Sequence, residues 1–442
     1  MNTLKQIDYG YVKNPAPDCS QIPVMLTDET MESRYHKVMK RMKEESFDVL
    51  IVYGDLEHGS NFEYLTGFLP RFEEALLVMH KDGSNYMIMG NENLNKVSSS
   101  RIKATPLHAP HFSLPNQPME GGKDIVSILS EAKICKGMHI GVVGWKQFTS
   151  PVENNHSLFD VPYYLIDAIK HLAGPDGCIE NAVSLFIGEN GARRTNNVNE
   201  LEHYEFGASL AGDCILAAMN QLSEGIKETE LGNTLNALGQ KKQCGKLLAA
   251  AGKRFVKANL YPTDNTVKTG DTLSLTVGYK GGLSSRCGYA VKNSSQLHES
   301  VRDYVDVVVK PYFRAYALWL EQIHCGMTGG ELYNLIEHVM PKTDYHWSLC
   351  PGHLTADEEW LSSPVYSDSQ ELLVSGMLFQ LDMIPSVEGY GNTNAESTIA
   401  LADEALQKQI QAQTPALWNR IAARRAYIQK ELGICLNPHV LP

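Results

Sequence analysis

The first third of the chain alternates between apolar spacings typical of helices and of strands. Thr27 is of a residue type that caps helices, and the apolar residues behind it recur at steps of three and four, which predicts one buried helix face: Met31, Tyr35, Val38 and Met42. Apolar runs at 47–53, 75–79 and 85–89 predict strands, and Asp82-Gly83 between the last two predicts a tight hairpin. A helical stretch near 124–129 and a strand at 140–143 continue the alternation. The pattern predicts an α/β domain over residues 1–187.

A polar, glycine-bearing segment at 188–197 then reads as a linker, and residues 197–442 form the second predicted domain. This domain opens with a long helix whose apolar positions step by three and four: Tyr204, Ala208, Ala211, Ile215, Ala218 and Leu222. A last helix is expected to begin at Thr414-Pro415 and to end at Gly433. We expect three arginines of this helix to form a solvated face: Arg420, Arg424 and Arg425.

The second domain contains an internal repeat. The heptapeptide Gly225–Leu231 matches Gly326–Leu332, each after a long helix, and Gly270–Thr276 matches Gly376–Asp382, each at a strand entered through glycine. Two matches in the same order predict a duplicated α+β half related by a pseudo-two-fold axis. The equivalent strands would then face one shared cleft.

Composition indicates which binding partners and which cellular location to expect for this protein. The 442 residues carry 51 acidic and 39 basic side chains, and the formal charge of −12 argues against nucleic acid or an anionic membrane as partner. No apolar run approaches the ~18 residues of a membrane span, and the first residues lack the apolar core of a signal peptide. The nine cysteines are scattered without a CxxC pair, so neither a disulfide framework nor a zinc knuckle is indicated. A cytoplasmic protein is expected.

Five short motifs, in order and spacing, resemble the creatinase, prolidase and Xaa-Pro aminopeptidase family: Asn61–Gly67, Gly270–Leu273, Pro351–His353, Ser375–Phe379 and Ala395–Thr398. The resemblance implies the pita-bread fold in the second domain, which is an α+β fold, preceded by a smaller α/β creatinase-type domain. It also implies a homodimer.

The resemblance further implies where metal ligands would lie. Peptidases of this family hold two divalent metal ions with Asp, Asp, His, Glu and Glu, which fall here on Thr276, Arg286, His353, Asp382 and Glu396. A neutral threonine and a cationic arginine cannot balance a pair of divalent ions, so a dinuclear site is excluded and no metal cofactor is expected. Arg286 is instead expected to bridge Asp382 and Glu396. A single ion on His353, Asp382 and Glu396 stays open as an alternative.

The family's two substrate-side histidines are replaced by Asn259 and Trp360. We expect His353 to act as general acid and base, with Glu396 or Asp382 activating water. The predicted substrate contacts are Arg286, Asn259, Thr276 and Arg71, the last because its segment is similar to the creatinase segment whose arginine reaches the partner subunit's cleft.

These residues lead to three hypotheses about function. The first is a metal-independent hydrolase that cleaves an amide-type or amidine-type C–N bond of a small polar molecule, for which creatinase is the family's metal-free precedent. Its catalytic histidine corresponds to Asn259, so its mechanism does not carry over intact. The second is an inactive family member that binds a small molecule or short peptide or serves as a dimeric scaffold. The third is an Xaa-Pro aminopeptidase or dipeptidase. An enzyme should leave His353 facing an open pocket, whereas an inactive site should be filled by side chains.

Overall fold

A computed structural model describes residues 6–117, 122–254 and 261–442, apart from the side chains of 243–247. The chain divides into two compact units, of which unit 1 holds Met1–Met25 and Thr195–Pro442, and unit 2 holds Leu26–Arg194. The division after Arg194 falls inside the segment predicted as a linker. The sequence had assigned the first 25 residues to the N-terminal domain, whereas in the structure they belong to unit 1.

Unit 2 is built on a six-stranded sheet with strand order β4-β3-β2-β1-β5-β6. The strand β1 pairs antiparallel with β2 and parallel with β5, and the remaining pairs are β2–β3 antiparallel, β3–β4 parallel and β5–β6 parallel. The strands are β1 Val49–Gly54, β2 Ala75–His80, β3 Asn85–Met89, β4 Thr105–His108, β5 His139–Val143 and β6 Cys178–Asn181. The helices are α1 Asp28–Glu44, α2 Ser60–Thr66, α3 Ile125–Glu131, α4 Tyr163–Ala173 and α5 Ser184–Ile187.

Local signals in unit 2 act as the sequence predicted. The Thr27 side chain accepts a hydrogen bond from the Thr30 amide and so satisfies one of the unpaired donors at the start of α1. Gly83 adopts φ of 89° in the hairpin between β2 and β3, a conformation that glycine reaches without steric cost. The core on one sheet face joins alternate residues of β1 to α3 and α4. The interleaved helices and strands confirm the predicted α/β character.

Unit 1 contains two four-stranded sheets, ordered β10-β11-β13-β14 and β12-β9-β8-β7. Among the helices of the described ranges, none is long and apolar enough to cross a membrane. A π-helical turn, Val305–Val309, precedes α8. The strands are β7 Lys242–Ala251, β8 Thr272–Tyr279, β9 Gly282–Tyr289, β10 Ser348–Leu354, β11 Leu378–Ile384, β12 Asn394–Glu396, β13 Thr398–Leu401 and β14 Val440–Leu441. The helices are α6 Val198–Gln221, α7 Glu228–Thr234, α8 Lys310–Gln322, α9 Gly329–Val339, α10 Lys342–Tyr345, α11 Glu404–Gln413 and α12 Pro415–Lys430.

The two halves of unit 1 repeat the same local geometry. Gly225 and Gly326, with φ of 84° and 92°, each precede the short helix of their half, α7 and α9. Gly270 and Gly376, with φ of 89° and 90°, each stand just before a strand, β8 and β11. Because such φ values favour glycine, the matching heptapeptides mark matching turns. The predicted internal repeat is therefore present in the fold.

Candidate functional site

A row of polar side chains crosses three neighbouring strands of unit 1. Thr276 on β8 lies opposite Ser285 on β9, and Ser285 lies opposite Glu396 on β12. Side chains of directly opposed residues share one face of a sheet. The Thr276 and Ser285 hydroxyl oxygens lie 2.8 Å apart, and Asn394 Nδ2 donates to Ser285 Oγ at 3.1 Å. This face therefore carries two hydroxyls and an amide beside the Glu396 carboxylate.

The other sheet contributes an imidazole and a second carboxylate. His353 on β10 lies opposite Gln380 on β11, and Asp382 shares its face because it is two residues further along the strand. One ligand atom from each of His353, Asp382 and Glu396 lies within 4.8 Å of the other two. Their exposed fractions are 0%, 5% and 3%. The structure thus brings the three predicted catalytic residues together in a buried cluster, which we call the central triad.

Two atoms of the central triad face each other without partners. His353 Nδ1 lies 3.2 Å from the Leu354 carbonyl oxygen, which only accepts, so Nδ1 carries the proton and Nε2 presents its lone pair. His353 Nε2 is 3.6 Å from Glu396 Oε1, and within the described ranges neither buried atom has a hydrogen-bond partner. A lone pair facing a carboxylate oxygen in a buried space favours a cation between them.

The Trp360 side chain covers the imidazole of His353. Its ring stacks on His353 with centroids 4.3 Å apart and an interplanar angle of 13°. Trp360 is itself 41% exposed. The indole therefore lies on the solvent side of a histidine that has no exposure of its own.

Burial sets the electrostatics of the central triad. It lowers the pKa of His353, which is neutral at pH 7 as a result. Burial, followed by the Glu396 charge, raises the pKa of Asp382 to about 7. Burial, followed by the Glu359 charge, holds the pKa of Glu396 well above its usual range. Without a cation, burial therefore favours the protonated form of both carboxyl groups.

Arg286 does not bridge the two carboxylates, so the predicted pairing is wrong. It lies opposite Leu275 and Ala395, on the other face of the sheet from Ser285. Its Nη1 donates to the backbone carbonyl oxygens of Ser285 and Glu396, each at 2.7 Å. Its Nη2 donates to the Ser397 hydroxyl at 3.1 Å. The guanidinium therefore holds strand backbones and leaves the carboxylates free for another cation.

The misplacement of Arg286 has a simple physical origin in strand register. Tyr279 pairs with Gly282 across the two-residue loop Lys280-Gly281, and counting back along both strands sets Thr276 opposite Ser285. A shift of one residue moves every side chain to the other face. Ser285 was missed for this reason, although the tight loop could have revealed it.

The other three predicted substrate contacts, Thr276, Asn259 and Arg71, lie in different parts of the chain, and only Thr276 is described near the central triad. Thr276 lies in the polar row next to the central triad. Asn259 lies outside the described residues. Arg71 belongs to unit 2, where it is exposed and its guanidinium packs over the Phe72 ring at 4.5 Å. Its role across a dimer stays a prediction.

The donor set decides how many metal ions the site could hold. Of the two positions where the resemblance implies aspartates in the family's peptidases, Thr276 carries a hydroxyl and Arg286 lies on the other face of the sheet, so the site has the hydroxyls of Thr276 and Ser285 at this place. These neutral groups cannot balance a second divalent ion. One imidazole nitrogen and two carboxylates, with unpartnered atoms at their centre, fit a single divalent ion with room for further ligands. The site fits one ion and not a pair.

Comparisons with known proteins identify the fold. No protein-family model matches the sequence, and no curated protein matches it. Among solved structures, the recombinant prolidase from Thermococcus sibiricus is similar with a TM-score of 0.65 at 16% identity, covering 85% of this chain and 95% of that one. The Xaa-Pro dipeptidase from Bacillus anthracis gives 0.63 at 15%, covering 85% and 96%. The X-Pro aminopeptidase from Thermotoga maritima gives 0.60 at 15%, covering 84% and 95%. The chain has the pita-bread fold of these enzymes, preceded by an α/β domain.

Proposed function

We propose that this protein is a hydrolase of amide-type C–N bonds that works with a single divalent cation held by His353, Asp382 and Glu396. The observation that carries the proposal is the unpartnered pair His353 Nε2 and Glu396 Oε1, buried and 3.6 Å apart. The absence of Arg286 from this space supports it, because the expected competitor for the carboxylates binds backbone instead. This proposal replaces the metal-independent reaction expected from the sequence.

The bound cation and the side chains around the central triad would have separate roles in the reaction. A bound divalent cation supplies Lewis acidity, which polarises a scissile carbonyl and acidifies water. Asp382, whose pKa is about 7 in the free site, would give up its proton when the cation binds and would then serve as a charged ligand. The hydroxyls of Thr276 and Ser285 can bind a polar substrate by hydrogen bonds.

The substrate we propose is a short peptide or a small polar amide. The similar solved structures are named as an Xaa-Pro dipeptidase, a prolidase and an X-Pro aminopeptidase, and this chain has their fold. Xaa-Pro dipeptides are therefore the first substrates to test, followed by small amides and amidines. A homodimer and a cytoplasmic location stay predictions.

The test measures metal content and hydrolysis in the same preparation. Chelator-treated protein should be inactive, and one equivalent of Mn²⁺, Co²⁺ or Zn²⁺ should restore turnover. His353→Ala and Glu396→Gln should each lower kcat by at least ~100-fold, because each removes a ligand of the reacting centre. Glu388→Gln, a change at an exposed carboxylate of the loop after β11, should keep wild-type kcat. Full turnover by metal-free protein would refute the role of the cation and restore the metal-independent hypothesis.

A ligand-binding protein without catalysis is the second candidate. The observation that favours it is the complete burial of His353 beneath Trp360, as expected for a site filled by side chains. Under this hypothesis, dipeptides would raise the melting temperature of the metal-loaded protein with no product formed. Turnover of any amide substrate that is lost in His353→Ala would exclude it.

A further inference from the structure

Unit 2 contains a second cluster of ligand-type side chains, at the edge of its sheet. His139 on β5 lies opposite Cys178 on β6, and Glu180 is two residues beyond Cys178 on the same strand. The alternation of side chains therefore puts Cys178 and Glu180 on one face, beside His139. One ligand atom from each residue lies within 4.8 Å of the other two.

The imidazole of this cluster is oriented by its surroundings. His139 Nδ1 is 3.1 Å from the Ser46 carbonyl oxygen, and the ring stacks on Phe47 with centroids 4.3 Å apart. Since the carbonyl only accepts, Nδ1 is the protonated nitrogen. His139 Nε2 is 3.4 Å from Glu180 Oε2, so in the neutral ring a lone pair faces a carboxylate oxygen. A histidine whose second nitrogen donates to a backbone carbonyl is the usual arrangement of a metal ligand.

We propose that His139, Cys178 and Glu180 bind one zinc-type divalent ion, with a water as fourth ligand. Imidazole nitrogen, thiolate sulfur and carboxylate oxygen are the three donors that Zn²⁺ takes in proteins. A magnesium or calcium ion is disfavoured because both prefer oxygen alone. The site is separate from the central triad and does not depend on the proposed hydrolase activity.

The sequence contains no zinc-binding motif at this site. Its three residues come from two parallel strands, and the α4 segment lies between those strands in the chain. Parallel neighbours need a long crossover, so ligands on them are far apart in sequence. Only the register between β5 and β6 brings them together.

A bound ion would fasten β6 to β5. The strand β6 has four residues and lies at the edge of the sheet, where it is paired on one side only. Zinc binds a cysteine side chain as the thiolate, so binding displaces the Cys178 thiol proton into solvent. Affinity should therefore rise with pH through the neutral range.

The experiment uses Co²⁺ as a spectroscopic substitute for Zn²⁺ on the full, reduced, chelator-treated chain. Co²⁺ should produce a near-ultraviolet thiolate-to-metal charge-transfer band, which Zn²⁺ should then abolish by displacement. Cys178→Ser should lose the band, and His139→Gln should weaken Co²⁺ affinity at least tenfold. Cys135→Ser, a change at another exposed cysteine of unit 2, should keep the wild-type band and affinity.

Two results would overturn the proposal. Absence of the band in the wild-type protein would leave a direct contact between His139 and Glu180, with no ion, as the explanation of the 3.4 Å distance. Persistence of the band in Cys178→Ser would assign the thiolate to another cysteine. Cys350 lies opposite Asp382, so a band that arose from an ion at the central triad would also persist in Cys178→Ser.

Discussion

His353, Asp382 and Glu396 owe their chemistry to burial more than to contacts. For each of them, desolvation is the largest influence on the pKa, and it disfavours the charged form. In the free site the carboxyls bind protons and the imidazole gives up its own. A divalent ion reverses this balance because it stabilises both carboxylates in their charged form. The central triad is therefore a place where metal and protons compete.

Because of this competition, we expect the unfolding free energy of the metal-free protein to fall as pH rises. The pKa of Asp382 is about 7 in the folded protein and 3.8 in its unperturbed state, so the folded state binds more protons between these values. The stabilisation is full below pH 3.8 and is lost as pH rises toward 7, by up to about 1.4 kcal/mol per pH unit. Urea unfolding of chelator-treated protein between pH 4.5 and pH 7.5 measures it.

The control for this prediction is Asp382→Asn, which should flatten the slope over the same range. Saturating Mn²⁺ or Zn²⁺ should restore the stability of the wild-type protein at pH 7.5 and leave Asp382→Asn less affected. A stability that rises with pH in metal-free wild type, and not in Asp382→Asn, would show that Asp382 is charged in the fold.

At the same scale, sequence alone could find some members of the site and not others. His353, Asp382 and Glu396 each stand in a motif whose spacing is local, and the structure brings them together. Glu359 was not predicted to act on this centre, although its charge raises the pKa of Asp382 and of Glu396. Such an influence depends on distance through space, which no local pattern encodes.

At the scale of elements, the β8–β9 hairpin determines which residues meet the central triad. Its two-residue loop fixes the register, puts Ser285 beside Glu396 and turns Arg286 to the face where Leu275 packs against α6. The strands themselves were predictable from their apolar runs and glycine entries. Their register was predictable only by counting back from the loop.

The new position of Arg286 changes what its replacement should do. Arg286→Lys keeps the charge but loses the fork that reaches the Ser285 and Glu396 carbonyls and the Ser397 hydroxyl. We expect a loss of about 1–3 kcal/mol of unfolding free energy, since buried carbonyls lose donors. Metal affinity should change little, because the guanidinium does not touch the carboxylate oxygens. Chemical denaturation and a metal titration of the same variant measure both.

A loss of metal affinity of tenfold or more in Arg286→Lys, with stability unchanged, would contradict this assignment. Lys292→Ala, at an exposed position of the loop after β9, serves as a control for removal of a positive charge.

At the junction of the two C-terminal helices, a capping residue was predicted at the right position but makes a different hydrogen bond. Thr414 was expected to cap the last helix. It does stand at the N-cap position of α12, but it also ends α11, and its hydroxyl donates to the Ile410 carbonyl oxygen instead of accepting from an amide of α12. The reason is that α11 runs almost directly into α12, so the residue between them serves the end of one helix rather than the start of the next.

At the scale of the molecule, ion pairs within unit 1 join the N-terminal segment of the chain to its last helix. Asp18, near the start of the chain, accepts two hydrogen bonds from Arg424 of α12, at 2.7 and 2.9 Å. Arg424 also donates to Glu205 of α6, as does Arg420. The prediction of a solvated arginine face is therefore wrong for these two residues. No sequence pattern could pair residues about 400 positions apart.

Removal of this link should release the N-terminal segment. Arg424→Ala leaves Asp18 and Glu205 without a shared partner, and we expect a loss of about 2 kcal/mol of unfolding free energy, because the pair is only partly buried. Limited proteolysis should then cut within residues 6–25 faster than in the wild type. Lys430→Ala, at an exposed position of the same helix, should match the wild type in both measurements. Equal cleavage rates in Arg424→Ala and the wild type would show that other contacts hold the segment.

The burial of the central triad, with the Trp360 indole stacked on His353, should affect the rate at which an ion binds and dissociates more than its affinity. All three members of the central triad are buried, and the Trp360 ring covers one face of the imidazole, so an ion can reach them only when side chains above them move. We expect exchange at this centre to be slow, and faster in Trp360→Ala. An ion bound at the central triad should therefore be retained through dialysis and dilution. The metal content of the purified protein would then reflect the ions that were available in the cell where it folded.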